Sequence, residues 1–155
     1  MPDDWRTEDR FGRDSDRWND APIRILVVDD ESCILQFLAA AFSSSDCRVE
    51  VALTGKLASE LAGTQVFDVA FVDYFLEGMC GTEVARKLHE TQPDMKIILM
   101  SGYIVNDREA KMELAGASAF LTKPFSDNTA HLIVSHVLPR ARLRLACVAN
   151  NADCS

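Results

Sequence analysis

The sequence lacks the features that mark several large classes of protein. No apolar run approaches the roughly 20 residues that span a bilayer, and the first 22 residues are too polar for a signal peptide. No basic module is present, and the net charge of −8 disfavours nonspecific attraction to nucleic acid or to anionic membranes. We therefore expect a cytoplasmic protein that binds neither DNA nor a membrane directly.

The cysteines and histidines show no metal-binding or disulfide pattern. The five cysteines are odd in number and scattered, and they contain no Cys-x-x-Cys pair. This spacing supports neither a disulfide framework nor a thiolate zinc site. The three histidines, His89, His131 and His136, fall in stretches with a helical pattern, and we expect them on solvated helix surfaces.

The length of 155 residues, 48% of them hydrophobic, fits one well-buried domain with tails. Residues 1–21 hold seven acids and four arginines, so we predict a flexible tail in which Trp5 and Trp18 could form a docking arm. Residues 22–138 form the predicted domain. Residues 139–155 are predicted to be a tail or a short partner-contacting helix, too short for an output domain of ordinary size.

Apolar runs alternate with helical patterns five times along the predicted domain. The predicted strands cover residues 23–28, 48–53, 67–73, 95–100 and 118–121. The predicted helices begin near Ser32, Thr54, Thr82, Asn106 and Asp127. Ser32 is the predicted N-cap of the first helix, and Gly63 and Gly116 are predicted to end the second and the fourth. With right-handed crossovers, this alternation predicts an α/β fold, a doubly wound five-stranded parallel sheet in the order 2-1-3-4-5.

Polar residues follow four of the five predicted strands. Asp29 and Asp30 end the first strand, Asp73 the third, Ser101 the fourth and Lys123 the fifth. Parallel strands present their carboxyl ends at one edge, so these side chains should converge on one crevice. Two carboxylates 4 Å apart repel by about 4 kcal/mol at an effective dielectric near 20, and a hard divalent cation such as Mg²⁺ would relieve that repulsion. Taken alone, the Asp29–Asp30 pair could also be an acidic helix N-terminus.

These residues resemble the receiver domain of two-component response regulators, which has a flavodoxin-like or CheY-like fold, over residues 23–138. The matching segments are ILVVDD at 25–30, DYFLEGMCG at 73–81, MSG at 100–102 and GASAFLTKPF at 116–125. The resemblance implies that Asp73 accepts a phosphoryl group from a histidine kinase or a histidine phosphotransfer protein. It also implies a protein that catalyses only its own phosphorylation and dephosphorylation.

The resemblance further implies a set of site residues. Asp30, Asp73 and the backbone carbonyl of Phe75 would bind Mg²⁺ directly, and Asp29 would hold it through water. Lys123 would pair with a phosphoryl oxygen, and the Lys123–Pro124 peptide bond would be cis.

A switch is implied by the same resemblance. Ser101 would donate its hydroxyl to the phosphoryl group, and Phe120 would fill the space that the moving loop vacates. A downstream protein would then read the face made by the fourth helix, the fifth strand and the fifth helix. Dimerisation of the chain is left open.

The chain departs from the family pattern at three positions in the loops around Asp73 and Ser101. Glu77 stands where proline is common, which would add a negative charge near the metal. Phe75 and Tyr103 stand two residues after the acceptor and the hydroxyl residue, where large rings could obstruct an attacking water. We therefore predict a long-lived phosphoryl state.

The main interpretation is a stand-alone receiver that binds a partner differently in its two phosphorylation states. Two rival interpretations stay open. The first rival is a binding module that keeps the fold but signals without phosphorylation, and Glu77 and Phe75 are its only support. The second is a flavin-binding or haloacid-dehalogenase-like enzyme. It is disfavoured because no hydroxyl- and glycine-rich phosphate loop follows the first strand, and because no second acid lies two residues after Asp73.

Overall fold

The structure is a computed structural model that describes residues 21–44 and 46–138. The predicted tails, 1–21 and 139–155, fall outside these residues except for Ala21, and so do Trp5 and Trp18. The proposed roles of both tails therefore stay predictions.

Five parallel strands form the central sheet. Their bounds are β1 Ile23–Val28, β2 Cys47–Ala52, β3 Val69–Asp73, β6 Lys96–Ser101 and β7 Ala119–Thr122, and a short hairpin between β3 and β6 supplies β4 (Phe75–Leu76) and β5 (Met79–Cys80). The spatial order of the central sheet is β2-β1-β3-β6-β7. With the five strands numbered in turn along the chain, this is the order 2-1-3-4-5, so the predicted doubly wound sheet is confirmed.

Five helices connect and flank the strands. Their bounds are α1 Ser32–Ala41, α2 Gly55–Thr64, α3 Gly81–Thr91, α4 Arg108–Ala115 and α5 Asp127–Val137. Thr54, the predicted start of the second helix, is the N-cap of α2 and accepts a hydrogen bond from the Leu57 backbone N–H. Gly116 ends α4 in the left-handed conformation, with φ of 69°, which glycine adopts without steric cost.

Two predicted helix ends are wrong. Ser32 is the first residue of α1, and its N-cap is Glu31, whose side chain makes no capping hydrogen bond. Gly63 does not end α2, which continues to Thr64 with Gln65 as C-cap. A glycine within a helix is tolerated at a cost of about 1 kcal/mol, so the continued hydrogen bonding of the last turn outweighs the local preference of Gly63.

Both faces of the sheet are covered, which places β3 at the centre of the molecule. Every residue of β3 is buried. Val69 and Phe71 belong to one apolar cluster, which includes residues of α1 and α5, and Ala70 and Val72 belong to a second cluster with residues of α2, α3 and α4. This two-sided burial explains why the strand sequence is a continuous apolar run.

The segment after β3 is more ordered than the loop predicted for it. Phe75–Leu76 (β4) and Met79–Cys80 (β5) pair as a short antiparallel hairpin, and Gly78 takes a φ of 80° at its turn. A Cβ atom at Gly81 would overlap the backbone carbonyl of Asp73, so only glycine lets the hairpin return this close to the strand end.

His131 departs from the predicted solvated position. Its ring is half-buried and stacks on Phe42, with 4.4 Å between ring centroids, and its Nε2 lies 2.6 Å from the carbonyl oxygen of Ala41. His131 therefore joins α5 to the end of α1. In the part of the chain described here, no helix is long and apolar enough to cross a membrane.

Candidate functional site

The carboxyl ends of four strands bring the predicted site residues to one edge of the sheet. Asp29 follows β1 and is 0% exposed, and Asp73 ends β3 and is 5% exposed. Ser101 ends β6, is also fully buried, and lies in register with Thr122, the residue before Lys123. The parallel register makes these residues neighbours even though they lie far apart in the sequence.

Lys123 joins two of the buried acids. Its Nζ atom lies 2.7 Å from Asp29 Oδ2 and 3.4 Å from Asp73 Oδ2. Burial acts to lower the pKa of Lys123, but the hydrogen bond to Asp29 and the negative charges of Asp29 and Asp73 outweigh it and raise the pKa. Lys123 is therefore a fixed cation at this edge, and its peptide bond to Pro124 is cis, as predicted.

Asp73 lies in surroundings that oppose its negative charge. Burial, and then repulsion from Asp29, raise the pKa of Asp73 from 3.8 to about 6, while Lys123 and the backbone N–H of Phe75 act in the opposite direction. The Phe75 N–H lies 3.4 Å from Asp73 Oδ1. One lysine therefore compensates only part of the charge on the paired acids.

Four acidic side chains meet at this crevice. Asp29, Asp30, Glu31 and Asp73 each offer a carboxylate oxygen, and these oxygens all lie within 4.8 Å of one another. Hard oxygen ligands in such numbers, with one lysine among them, suit a hard divalent cation. The residues present therefore fit the metal that the sequence predicts.

Backbone contacts hold two of these acids in place. Asp29 Oδ1 accepts a hydrogen bond of 2.9 Å from the Glu31 N–H, and Asp30 Oδ2 accepts one of 3.1 Å from the Glu77 N–H. Glu77 thus orients Asp30 through its main chain, while its exposed side chain is not part of the four-acid group. Sequence reasoning singled out Glu77 and missed Glu31, whose only signal is its place directly after the acidic pair.

The hydroxyl of Ser101 is bound to the main chain of Tyr103. It donates to the Tyr103 carbonyl oxygen at 3.1 Å and accepts from the Tyr103 N–H at 3.0 Å. Its predicted donation to a phosphoryl group would require it to break the bond to the Tyr103 carbonyl oxygen, since a hydroxyl has one proton to donate.

Phe75 and Tyr103 contact each other beside the crevice. Their ring centroids are 5.3 Å apart in an edge-to-face arrangement, and the residues are 49% and 74% exposed. The segments that follow Asp73 and Ser101 are therefore linked by an exposed aromatic pair.

Phe120, the predicted switch residue, is half-buried on β7 against the cluster that includes residues of α4. The Arg108 guanidinium lies over its ring, 4.3 Å from the centroid, and Arg108 Nη2 lies 3.4 Å from the Phe120 carbonyl oxygen. The position of Phe120 is thus tied to the first residue of α4.

Comparison with known proteins identifies the family of this chain. Residues 25–135 match the model of the response regulator receiver domain. The chain belongs to this receiver family. Its curated relatives include the response regulator MprA of Mycolicibacterium vanbaalenii, 34% identical over 68% of this chain and 46% of the relative. Two-component response regulator ORR11 of Oryza sativa subsp. indica is 34% identical over 77% of this chain and 83% of the relative.

A solved receiver structure agrees with the fold. A response regulator protein from Burkholderia pseudomallei, crystallised with a phosphorylated aspartic acid, a calcium ion and citrate, superposes with a TM-score of 0.68 at 26% identity. The match covers 83% of this chain and 74% of the Burkholderia chain. The receiver described here spans about half the length of the MprA-type relatives that it matches.

Proposed function

We propose that this receiver domain acts in the cytoplasm and takes a phosphoryl group on Asp73 from a histidine kinase or a histidine phosphotransfer protein, in a Mg²⁺-dependent reaction. The observation that carries the proposal is the buried Asp73 carboxylate, held between Asp29 and Lys123 at the carboxyl edge of a receiver fold. The only reactions that the protein catalyses are its own phosphorylation and dephosphorylation.

The carboxylates of Asp29, Asp30 and Asp73 and the backbone carbonyl of Phe75 would hold the Mg²⁺ ion. When bound, this ion would neutralise charge on the phosphoryl oxygens. The cluster of carboxylate oxygens within 4.8 Å of one another supports this assignment.

The chemistry assigned to the chain is one phosphoryl transfer. An Asp73 carboxylate oxygen forms a bond to phosphorus while the bond from phosphorus to the donor's imidazole nitrogen breaks, and that nitrogen keeps the electron pair. Lys123, 3.4 Å from Asp73 Oδ2, is near enough to pair with a phosphoryl oxygen. In the second half of the cycle, a water oxygen bonds to phosphorus while the bond from phosphorus to the Asp73 oxygen breaks. Inorganic phosphate leaves, and the Asp73 carboxylate keeps the electron pair of the broken bond.

Switching would follow from the contacts of Ser101 and Phe120. The Ser101 hydroxyl has a single proton, so to donate it to a phosphoryl oxygen it must give up its bond to the Tyr103 carbonyl oxygen. Movement of that loop would change the packing of Phe120 and its contact with Arg108. A downstream protein would then bind the face of α4, β7 and α5 with a different affinity, by a coupling of about 1–3 kcal/mol.

We further propose that this receiver passes its signal to a protein partner and makes no direct contact with DNA. The chain covers 83% of ORR11 and 46% of MprA, and the proposal concerns the receiver region that matches both. The Burkholderia protein, with its phosphorylated aspartic acid, supports phosphorylation as the input.

The test is the intact mass of the protein after incubation with acetyl phosphate. Wild type with Mg²⁺ should gain one phosphoryl group, and both wild type with chelator and the Asp73→Asn variant should gain none. Asp94→Asn, an exposed acid at the opposite edge of the sheet, is the matched control and should behave as wild type. Uptake by Asp73→Asn equal to that of wild type would refute Asp73 as the acceptor.

A phosphorylation-independent binding module is the second candidate. The observation in its favour is the Ser101 hydroxyl, which is engaged by the Tyr103 main chain and not by Asp73 or Lys123. If neither acetyl phosphate nor a cognate phosphohistidine protein adds mass to wild type, this candidate replaces the first.

A further inference from the structure

The central sheet ends at β2 on one side. In the spatial order of the sheet β2 is the terminal strand, and among the described residues β1 is its only strand partner. A terminal strand carries N–H and C=O groups that can pair with a further strand. We propose that β2 binds β2 of a second copy of this chain, antiparallel and centred on Val49, to form a weak symmetric dimer.

The main-chain groups of β2 alternate between β1 and the open side of the sheet. The N–H of Asp29 donates to the carbonyl oxygen of Ala52 at 3.1 Å, so the main chain of Ala52 faces β1. In a parallel pair, every second residue of a strand bonds to the same neighbour. The N–H and C=O groups of Val49 and Val51 therefore face the open side, where a second strand can reach them.

The side chains of Arg48 and Glu50 give this edge two opposite charges. Both residues are exposed, and residues two apart on a strand share a face of the sheet. Neither has an ion-pair partner in residues 21–44 and 46–138. Arg48 lies in register with Arg24 of β1, and like charges directly opposite each other are unfavourable. An acidic side chain arriving across the open side would relieve this repulsion.

One antiparallel register makes the edge complementary to itself. When two β2 strands pair about Val49, each Arg48 lies directly opposite Glu50 of the other copy. Because the main chains of these two residues face β1, they form non-hydrogen-bonded pairs, in which opposed side chains approach most closely. The outward N–H and C=O groups of Val49 exchange two hydrogen bonds with Val49 of the second copy.

Neighbouring registers lose this charge complementarity. Pairing centred on Arg48, or on Glu50, places like charges opposite each other at the centre of the contact. Pairing centred on Val51 places Glu50 opposite Ala52, which carries no charge. The sequence of β2 therefore selects the register centred on Val49.

The position of β2 decides what such a dimer leaves accessible. β2 and β7 lie at opposite ends of the sheet order, so pairing through β2 leaves the face of α4, β7 and α5 uncovered in both copies. The contact involves one short strand from each copy, less than the roughly 1,200–2,000 Å² that a stable interface buries, so the dimer is weak. Its formation does not depend on phosphorylation, and Asp73→Asn should dimerise as wild type does.

The experiment is sedimentation velocity of the full chain over a concentration series. Wild type should dimerise reversibly. Arg48→Glu and Glu50→Arg, each alone, should raise the dimer Kd by about tenfold or more, because each change turns two attractive pairs into two repulsive ones. The double variant, with both changes, should recover nearly the wild-type Kd, because it restores both attractive pairs in reversed order.

Mixing the two single variants provides the decisive measurement. An equimolar mixture of Arg48→Glu and Glu50→Arg chains should form heterodimers with nearly the wild-type Kd, because Glu at 48 then faces Arg at 50, and Glu50 faces Arg48. A folding defect in either variant would not be repaired by mixing. If neither the mixture nor the double variant recovers association, the assigned register is wrong.

Glu113→Arg is the matched control, since it reverses an exposed charge on α4, the helix that connects β6 to β7. It should change the dimer Kd by less than about twofold. A dimer that is lost in Glu113→Arg and kept in both β2 variants would lie on the α4 face and would overturn the proposal. A wild type that stays monomeric up to about 1 mM would also overturn it, and would indicate that the charges on β2 protect the edge from pairing.

Discussion

The two edges of the central sheet use their polar residues in opposite ways. At the amino edge, Gln92 donates to the carbonyl oxygens of Ala62 and Gln65 at 2.8 and 2.6 Å and accepts from the Phe67 N–H at 2.9 Å. At the carboxyl edge, Asp29 and Asp73 share one lysine, and burial raises the pKa of Asp73.

This difference distinguishes a polar network that stabilises the fold from one that can bind a ligand. A network whose donors and acceptors match stabilises the fold and has no capacity left for a ligand. A group of acids that outnumbers its cations is costly in the absence of a ligand and is neutralised by one. Substitutions at the amino edge should therefore change stability, and substitutions at the carboxyl edge should change chemistry.

The largest effect should come from Lys123→Met. Because Lys123 contacts both buried acids, its loss should slow phosphoryl uptake from acetyl phosphate by about 100-fold, the size typical for removal of one charge-stabilising group. The initial rate by intact mass in saturating Mg²⁺ is the measurement. Lys96→Met, at the exposed start of β6 on the amino edge, is the matched control and should leave the rate unchanged.

Equal loss of phosphoryl uptake by Lys123→Met and Lys96→Met would show that the two edges do not differ in their effect on the chemistry. Circular dichroism of Lys123→Met should show retained secondary structure, which separates slow chemistry from unfolding.

At the amino edge, Gln92→Leu should lower the stability of the fold and leave phosphoryl uptake nearly unchanged. Three hydrogen bonds to backbone groups are lost, so the free energy of unfolding should fall by about 2–3 kcal/mol. Urea unfolding measures this change, and phosphoryl uptake at 25 °C should stay within about twofold of wild type. Lys87→Leu, at an exposed position of α3, the helix that Gln92 follows as C-cap, should change stability by less than about 0.5 kcal/mol.

Asp73→Asn should stabilise the metal-free protein at neutral pH. The pKa of Asp73 is about 6 in the fold and 3.8 in the unfolded chain, so ionisation opposes folding. The free-energy cost of carrying a charged Asp73 in the fold is absent below pH 3.8. It grows from there to about pH 6 and has its full size above that pH. At pH 7.5 the free energy of unfolding of the variant should exceed that of wild type by about 1–2 kcal/mol. This difference is smaller than a shift of two full pKa units would give, because solvent reaches part of the site.

The measurement is urea unfolding in chelator at pH 5 and pH 7.5, and the gain should be smaller at the lower pH. Asp94→Asn at the amino edge should change stability by less than about 0.5 kcal/mol. A gain for Asp73→Asn that is equal at both pH values would contradict the assigned cause.

The smallest effect should come from the exposed ring pair. Removal of either ring, by Phe75→Ala or Tyr103→Ala, should open the crevice to water and speed loss of the phosphoryl group by about twofold to fivefold. Decay of the phosphorylated mass after removal of donor is the measurement. Ile104→Ala is the control, since this neighbour of Tyr103 is 94% exposed. Rapid loss from wild type, unaltered in the ring variants, would show that the pair gives no protection.

Much of the fold and of the site could be predicted from local sequence. Continuous apolar runs such as Val69–Val72 mark buried parallel strands because both faces of such strands are covered. A polar residue after four of the five runs marks the carboxyl edge, and the resemblance assigned the roles of Asp73 and Lys123 and the cis bond before Pro124. The predicted roles of the site residues await the experiments above.

The sequence by itself determined the alternation of strands and helices, their order in the sheet and the edge at which the acids meet. Only the tertiary structure decided that Lys123 pairs with Asp29, that Ser101 is engaged by Tyr103, and that Glu31 joins the acidic group while the Glu77 side chain does not. For the Lys123–Asp29 pair, the physical reason is the separation of the two residues along the chain. Periodicity and caps act over a few residues, whereas Asp29 and Lys123 are 94 residues apart and meet only when the sheet has assembled.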